Sequence, residues 1–291
     1  MVSVSIPVAA CVLFCGNTVD NKVAAVIAVK PSDDVEQSCF ARTARAQNRN
    51  KLIAAEFKAH NPKCVAFELL NEPHDGTPDA TGWNKLQNEV LTAVREQDPE
   101  RIVFVPAMGW QDYNYIKYAR VAEEDPNAVV SFHYYLPMLL SHYKMLAWVG
   151  YQGAVQYPGV VIPTQSDADK YPQYASFHKT TYNADRIMGE MSNAASDGRN
   201  AGLAVHCGEF GCSKNVAEAM RLAWFTDMVA AMEANNIPWT LWECLDGGFG
   251  FVDMEYGIYR INCPLLKVLT GKELTDAEAK ALLQKYGFKT E

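Results

Sequence analysis

From about residue 50 onward, short unbroken apolar runs alternate with longer stretches whose apolar residues recur at helical spacing. The runs are Cys64–Leu70, Ile102–Val105, Ala128–Phe132, Leu203–Cys207 and Ile237–Leu241. They lack the polar alternation of a half-exposed strand, which predicts parallel strands buried on both faces. Between them, "GWNKLQNEVLTAVREQD" places Trp83, Leu86, Val90, Leu91 and Val94 on one helical face. "NVAEAMRLAWFTDMVAAMEANN" predicts a second helix, and a further one is expected near 184–197. "TDAEAKALLQKYGF" opens with Thr275 and Glu278 at the spacing of a capping box and predicts a closing helix. Repeated strand–helix units argue for a parallel sheet, either open or closed into a barrel.

Two stretches depart from this rhythm. Before residue 50, Val4–Phe14 and Lys22–Val29 read as strands, and a mostly polar stretch then runs into a helix. Residues 137–200 form a long insertion rich in Tyr, Gln, Pro and Ser. A segment of that length between strands is usually functional. Its Trp148, Tyr151, Tyr157 and Tyr171 suit sugar stacking, although packing is the expected role for most of them. No repeat, low-complexity tract or linker divides the chain, so residues 1–291 are expected to form a single domain.

Composition narrows the partners. The chain has 291 residues, a formal net charge of −8 and no Lys/Arg stripe, which argues against nucleic acid. No apolar run reaches transmembrane length. "MVSVSIPVAACVLFCGN" has the apolar character of a signal peptide but lacks its positive start and cleavage site, and reads as a strand. The eight cysteines are scattered without a CxxC pair. Cys64, Cys207 and Cys244 read as small buried hydrophobes. No metal-ligand spacing and no nucleotide-binding loop stands out, so neither metal nor cofactor is expected.

The candidate chemistry sits where apolar runs stop. In "FELLNEPHD", Pro73 restricts its predecessor to extended backbone, which predicts a strand ending at Glu72. In "LAVHCGEFGC", a second strand ends in Glu209, with Gly208 and Gly211 leaving room for a ligand or a tight turn. The C-terminal ends of parallel strands are where α/β active sites are built. Either carboxylate alone is equally a solvated or salt-bridged acid. Two at such tips suit an acid and a nucleophile flanking a glycosidic bond. In "VVSFHYYLP", His133 and Tyr135 are two apart and share a strand face. In "IPWTLWECLDGGFGF", Trp242 ends the last strand and offers an aromatic platform for a sugar ring, whereas Trp239 reads as core.

"LLNEP", "FHYY", "GEFG" and "WTLWE", in that order and each at a strand end, resemble glycoside hydrolase family 5, over about residues 50 to 270. The resemblance implies a (β/α)8 TIM-barrel-like fold, with no cofactor and a β-linked polysaccharide or oligosaccharide as partner. It implies a retaining endo-acting hydrolase, foremost an endo-β-1,4-glucanase, with mannan, xyloglucan and mixed-linkage glucan as other substrates. Glu72 would be the general acid/base and Glu209 the nucleophile. Asn71 would hold the sugar 2-hydroxyl, His133 and Tyr135 would line the subsite, and Trp242 would be the stacking platform. Such enzymes act outside the cell, which implies secretion.

The chain departs from that family at its start. Members place an Arg and a further His at strand ends before the Asn-Glu-Pro strand. Here the first His is His60, at an expected helix end, and the earlier arginines are Arg42, Arg45 and Arg49 in a polar stretch. Three βα units should precede the Cys64 run, and 63 residues are too few for them. The barrel is therefore expected to be incomplete or rearranged over its first strands, with residues 1–45 atypical. An open parallel edge then invites a homo-oligomer. The alternative function is a weakened carbohydrate-binding relative without the family's Arg and His, or a fragment that folds without activity.

Overall fold

The structure is a computed structural model; it describes residues 25–28, 54–61, 65–74, 80–122, 124–145, 150–245 and 248–291. The expected strand at Val4–Phe14, the arginines at 42, 45 and 49, and Cys64 and Trp148 lie outside the described residues. The strands are β1 (Ala25–Ala28), β2 (Val65–Glu68), β3 (Val103–Pro106), β4 (Ala128–Tyr134), β5 (Gly159–Val160), β6 (Thr181–Tyr182), β7 (Ala204–Phe210), β8 (Trp239–Leu241), β9 (Val252–Glu255) and β10 (Ile258–Ile261). The chain forms two compact units. One holds residues 19–132 and 197–206, and the other residues 133–196 and 207–291, with short N-terminal pieces assigned to each. Strands β4 and β7 begin in the first unit and end in the second.

In the first unit the hydrogen-bonded order is β1-β2-β3-β4-β7, and the registers from β1 through β4 are parallel. The continuous apolar runs read as buried strands become just that. Val103, Val105, Val130 and Phe132 are inaccessible to solvent, and a central parallel strand has no face left for water. The Thr81–Arg95 helix connects β2 to β3 and buries Trp83, Gln87, Val90, Leu91 and Val94, a stripe at helical spacing. Its Trp83 indole donates to the carbonyl of Pro106 at the end of β3, at 2.8 Å.

At the opposite end of these strands lies a fully buried cation. The Arg101 guanidinium bonds Asp98 at 2.7 and 2.9 Å and donates to the carbonyls of Phe57, His60, Asn61 and Val65. It also lies over the Phe67 ring. A buried charge is tolerable only when its donors are filled, and here each faces an acceptor. This network ties the chain entering β2 to the chain entering β3.

In the second unit, β7 continues parallel to β8, with Cys207 opposite Trp239 and Phe210 opposite Leu241. The Glu218–Ala234 helix joins them and buries Arg221, Trp224, Phe225, Met228 and Met232. Trp224 packs edge-on against Phe225 and donates its indole N–H to Leu136 O, just past β4. Arg221 donates to Cys212 O at 2.8 Å, to Gly250 O at 2.9 Å and to Phe249 O. Burial pushes the pKa of that guanidinium below its usual value. Gly211, read as space for a ligand or a turn, instead makes room for backbone: a Cβ there would stand 2.2 Å from the Trp242 carbonyl oxygen.

The insertion contains the helix expected near 184–197. Its last part is the Ala184–Ala201 helix that leads into β7, so the irregular segment ends near residue 183. This segment carries its own two-stranded sheet of β5 and β6, antiparallel. Tyr151 and Tyr157 are buried and act in packing, as the composition suggested for most of these aromatics. Tyr157 donates to Asp227 at 2.6 Å, and burial together with that bond pushes its phenol pKa upward. Ser213 and Asn215 bond the Tyr143 carbonyl at 3.0 and 3.1 Å, and Tyr143 donates to Gly153 O at 3.0 Å. The Asp276–Lys285 helix closes the chain with the expected capping box between Thr275 and Glu278. Among the described residues, no helix is long and apolar enough to cross a membrane.

Replacing Arg101 by Met should lower stability by about 3–5 kcal/mol, because Asp98 is left as an uncompensated buried charge. The check is the denaturant midpoint at unchanged m-value, with partial recovery when Asp98→Ala is added. Gly211→Ala should cost about 1–3 kcal/mol by overpacking against the Trp242 carbonyl. A melting temperature equal to that of the parent would contradict this close approach.

Candidate functional site

The residues singled out in the sequence fall into two sets, one in each unit. In the first unit, β2 stops at Glu68, four residues before Glu72. Glu72 is not extended, as Pro73 predicts, but left-handed, with φ of 49°. That conformation costs a side chain roughly 1–2 kcal/mol, and the proline ring further disfavours it. The compensating contact comes from Gln111, whose Oε1 accepts the Glu72 N–H at 2.7 Å. The Gln111 Nε2 donates to Glu68 Oε1 at 3.0 Å and to Ser131 Oγ at 3.1 Å. Gln111 is completely buried, and so is Ser131 on β4.

The segment that delivers Gln111 is itself unusual. Gly109, Trp110 and Gln111 have φ of 69°, 60° and 56°, consecutive left-handed residues shortly after β3, past Ala107 and Met108. Gly109 is needed there twice over: its φ suits glycine, and a Cβ would meet the Tyr115 ring at 2.7 Å. The Trp110 N–H donates to Pro73 O at 3.1 Å, so the two strained segments are bonded in both directions. Trp110 is 59% exposed and stacks on His74 with ring centroids 4.1 Å apart. Asn71 precedes Glu72 and is half-buried. His60 is exposed at the edge of the Arg101 network, where its carbonyl accepts from that guanidinium.

In the second unit the chain of β4 passes His133 and, one residue beyond its end, Tyr135. Both point to one acid. The Tyr135 hydroxyl donates to Glu209 Oε2 at 2.8 Å, and His133 Nδ1 lies 3.4 Å from the same oxygen. His133 is buried, while Glu209 is half-buried near the end of β7. Tyr135 is held from behind: its ring lies 4.9 Å from that of His142 and 5.8 Å from that of Phe249, and its carbonyl accepts from Ser141. The Cys207 thiol donates to the Glu209 carbonyl at 3.3 Å, and burial pushes its pKa well above the usual value. It stays a neutral thiol, the small buried hydrophobe read from the sequence. Trp242 follows β8, donates its N–H to Phe210 O at 2.9 Å and keeps its indole 42% exposed.

Sequence reasoning named the acids, the imidazole, the phenol and the exposed indole. It missed Gln111, Ser131, His142 and Phe249. The "MGWQD" stretch carried one signal, a glycine a few residues after an expected strand, but nothing local ties its glutamine to residue 72.

A match to the family Cellulase (glycosyl hydrolase family 5) covers residues 20–248. Endoglucanase C of Acetivibrio thermocellus is 27% identical over 203 residues, which are 67% of this chain and 56% of that protein. Endoglucanase C307 of Clostridium sp. (strain F1) is similar to the same extent. The chain thus spans little more than half the length of these curated relatives. Among solved structures, a hyperthermophilic endo-beta-1,4-glucanase in complex with substrate superposes with a TM-score of 0.67 at 23% identity, over 85% of this chain and 72% of that one. A mutant form of Thermotoga maritima Cel5A with cellobiose gives 0.68 at 22%, over the same shares. The fold is an incomplete (β/α)8 TIM-barrel-like one. With its family match running through both the Asn71-Glu72-Pro73 turn and the Glu209 strand, the chain belongs to the cellulase family, glycosyl hydrolase family 5.

Proposed function

We propose that the chain is a retaining, endo-acting β-glycoside hydrolase that cleaves β-1,4-glucan by double displacement. The observation that carries this reading is the pair of contacts on Glu209, a phenol donor and a neighbouring imidazole. A phenol hydroxyl at 2.8 Å and an imidazole nitrogen at 3.4 Å favour a carboxylate that is ionised and fixed in direction. That is what a nucleophile toward an anomeric carbon requires. The names of the relatives, endoglucanases throughout, support the substrate class.

The chemistry assigns each group one task. A Glu209 oxygen forms a bond to the anomeric carbon as the bond to the leaving oxygen breaks, and Glu72 gives its proton to that oxygen. Glu72, now a carboxylate, takes a proton from water, and the resulting hydroxide displaces Glu209 with a second inversion. As the family resemblance implies, Asn71 holds the 2-hydroxyl and Trp242 offers its exposed indole to a sugar face. The Tyr135 hydroxyl steadies the Glu209 charge before attack and is free to turn away once the ester forms. A glucan polymer is too large to enter a cell, so the site of action is outside it.

Reducing-end release from a panel of soluble β-glucans and mannans tests the reading. Wild type should release ends fastest from β-1,4-glucan. Glu209→Ala should lose at least about 10³-fold, and release that survives the substitution would remove the nucleophile assignment. Saccharide binding without any release would instead favour a carbohydrate-binding protein. The first product seen by NMR should be the β-anomer; the α-anomer would mean inversion. Tyr135→Phe removes one hydrogen bond to a charged group and should lower kcat by about 10–100-fold, the equivalent of about 1.5–3 kcal/mol.

A further inference from the structure

We infer that Gln111 is the positioning residue of Glu72: its buried side-chain amide fixes the backbone turn that aims the Glu72 carboxyl at the leaving oxygen. The inference rests on the reading of Glu72 as acid/base and adds to it the group that holds the acid in place.

Glu72 stands beyond the end of β2, outside the sheet's own hydrogen bonding, in a left-handed conformation directly before a proline. Both circumstances act against that geometry. Its backbone N–H is accepted at 2.7 Å by a side chain 39 positions away in sequence. Gln111 has no freedom to move: it is fully buried and left-handed itself, and its Nε2 is anchored to Glu68 at 3.0 Å and Ser131 at 3.1 Å. The orientation of the amide is unambiguous. Turned over, it would set its oxygen against the Glu68 carboxylate and its NH2 against the Glu72 N–H. One amide thus uses its acceptor on the acid's backbone and its donors on the last residue of β2 and on β4. An isosteric carboxylate cannot replace it, because both donors would be lost beside Glu68. Strained backbone held by a buried network is how folds fix reactive groups, and a displacement of about 1 Å in such a group costs on the order of 10²-fold in rate.

A merely structural glutamine and a positioning one differ in what they do to leaving-group dependence. The first irreversible step, read as kcat/KM, needs acid help when the departing group is a sugar alkoxide. It needs none when a dinitrophenolate departs. The experiment compares cellotetraose with 2,4-dinitrophenyl β-cellobioside for wild type, Glu72→Ala, Gln111→Leu and Ser131→Ala, after circular dichroism and thermal melting confirm folding. Glu72→Ala should lower kcat/KM for cellotetraose by about 10²-fold or more and leave the dinitrophenyl substrate within a few-fold. Gln111→Leu should reproduce that split at about 10–100-fold, and Ser131→Ala should show it in weaker form. If Glu72→Ala shows no split, the reading of Glu72 is wrong and the inference falls with it. If Glu72→Ala shows the split while Gln111→Leu loses both substrates equally, or neither, the inference on Gln111 alone is overturned. Should Gln111→Leu fail to fold, Ser131→Ala decides by the same ratio: a split supports the inference and its absence overturns it.

Discussion

A parallel strand that stops inside a protein leaves peptide groups without ladder partners, and burial makes each of them costly until something fills it. This chain meets that constraint with long polar or aromatic side chains sent from elsewhere in the sequence. Trp83 donates to the last carbonyl of β3, and Trp224 to a carbonyl just past β4. Arg221 caps the carbonyl of Cys212 after β7 and two more in the loop before β9. Gln111 accepts the N–H of Glu72 after β2. The candidate chemistry lies at these same ends, because a group that must finish a strand also dictates which way the next side chain points.

That arrangement explains the different fates of the two acids. Glu209 lies on β7 itself, at the register shift between Cys207 and Phe210, where the Cys207 thiol bonds its carbonyl and its carboxylate is left to find partners. His133 near the end of β4 and Tyr135 one residue beyond it supply them. Glu72 lies off the end of its strand, and its backbone has to be fixed first. The consecutive left-handed residues 109–111 serve that purpose: they turn the chain sharply enough after β3 for Gln111 to reach back to Glu72.

The apolar runs made the strands legible because burial on both faces leaves short continuous apolar stretches, and their length separates them from the longer helical patterns between. The Ile102–Val105 and Ala128–Phe132 runs fall within a residue or two of β3 and β4. The capping box was legible because both of its members are local, at Thr275 and Glu278. Strand ends were not. Cys64–Leu70 overshoots β2 at its C-terminal end: the strand closes at Glu68, although the Leu69 N–H still donates to Phe104 O on β3. The turn at Glu72 was misread for a deeper reason. The local rule for a residue before proline is correct on average, and here the hydrogen bond that the Glu72 N–H donates to Gln111 overrides it. Gly211 shows the same limit, because what it leaves room for is the Trp242 carbonyl, on a different strand end. Local chemistry names residue types; partners distant in sequence decide their posture.

The irregular segment that precedes the Ala184–Ala201 helix is closed on itself. It has its own small sheet, its own buried tyrosines, and fixed bonds to the rest of its unit at Tyr143 and Tyr157. A segment so stapled behaves as a cassette. Its outer turns can take substitutions while the staples hold, and the strands beneath need not change. Whatever those outer turns touch can then change by chain that the parallel strands never have to accommodate.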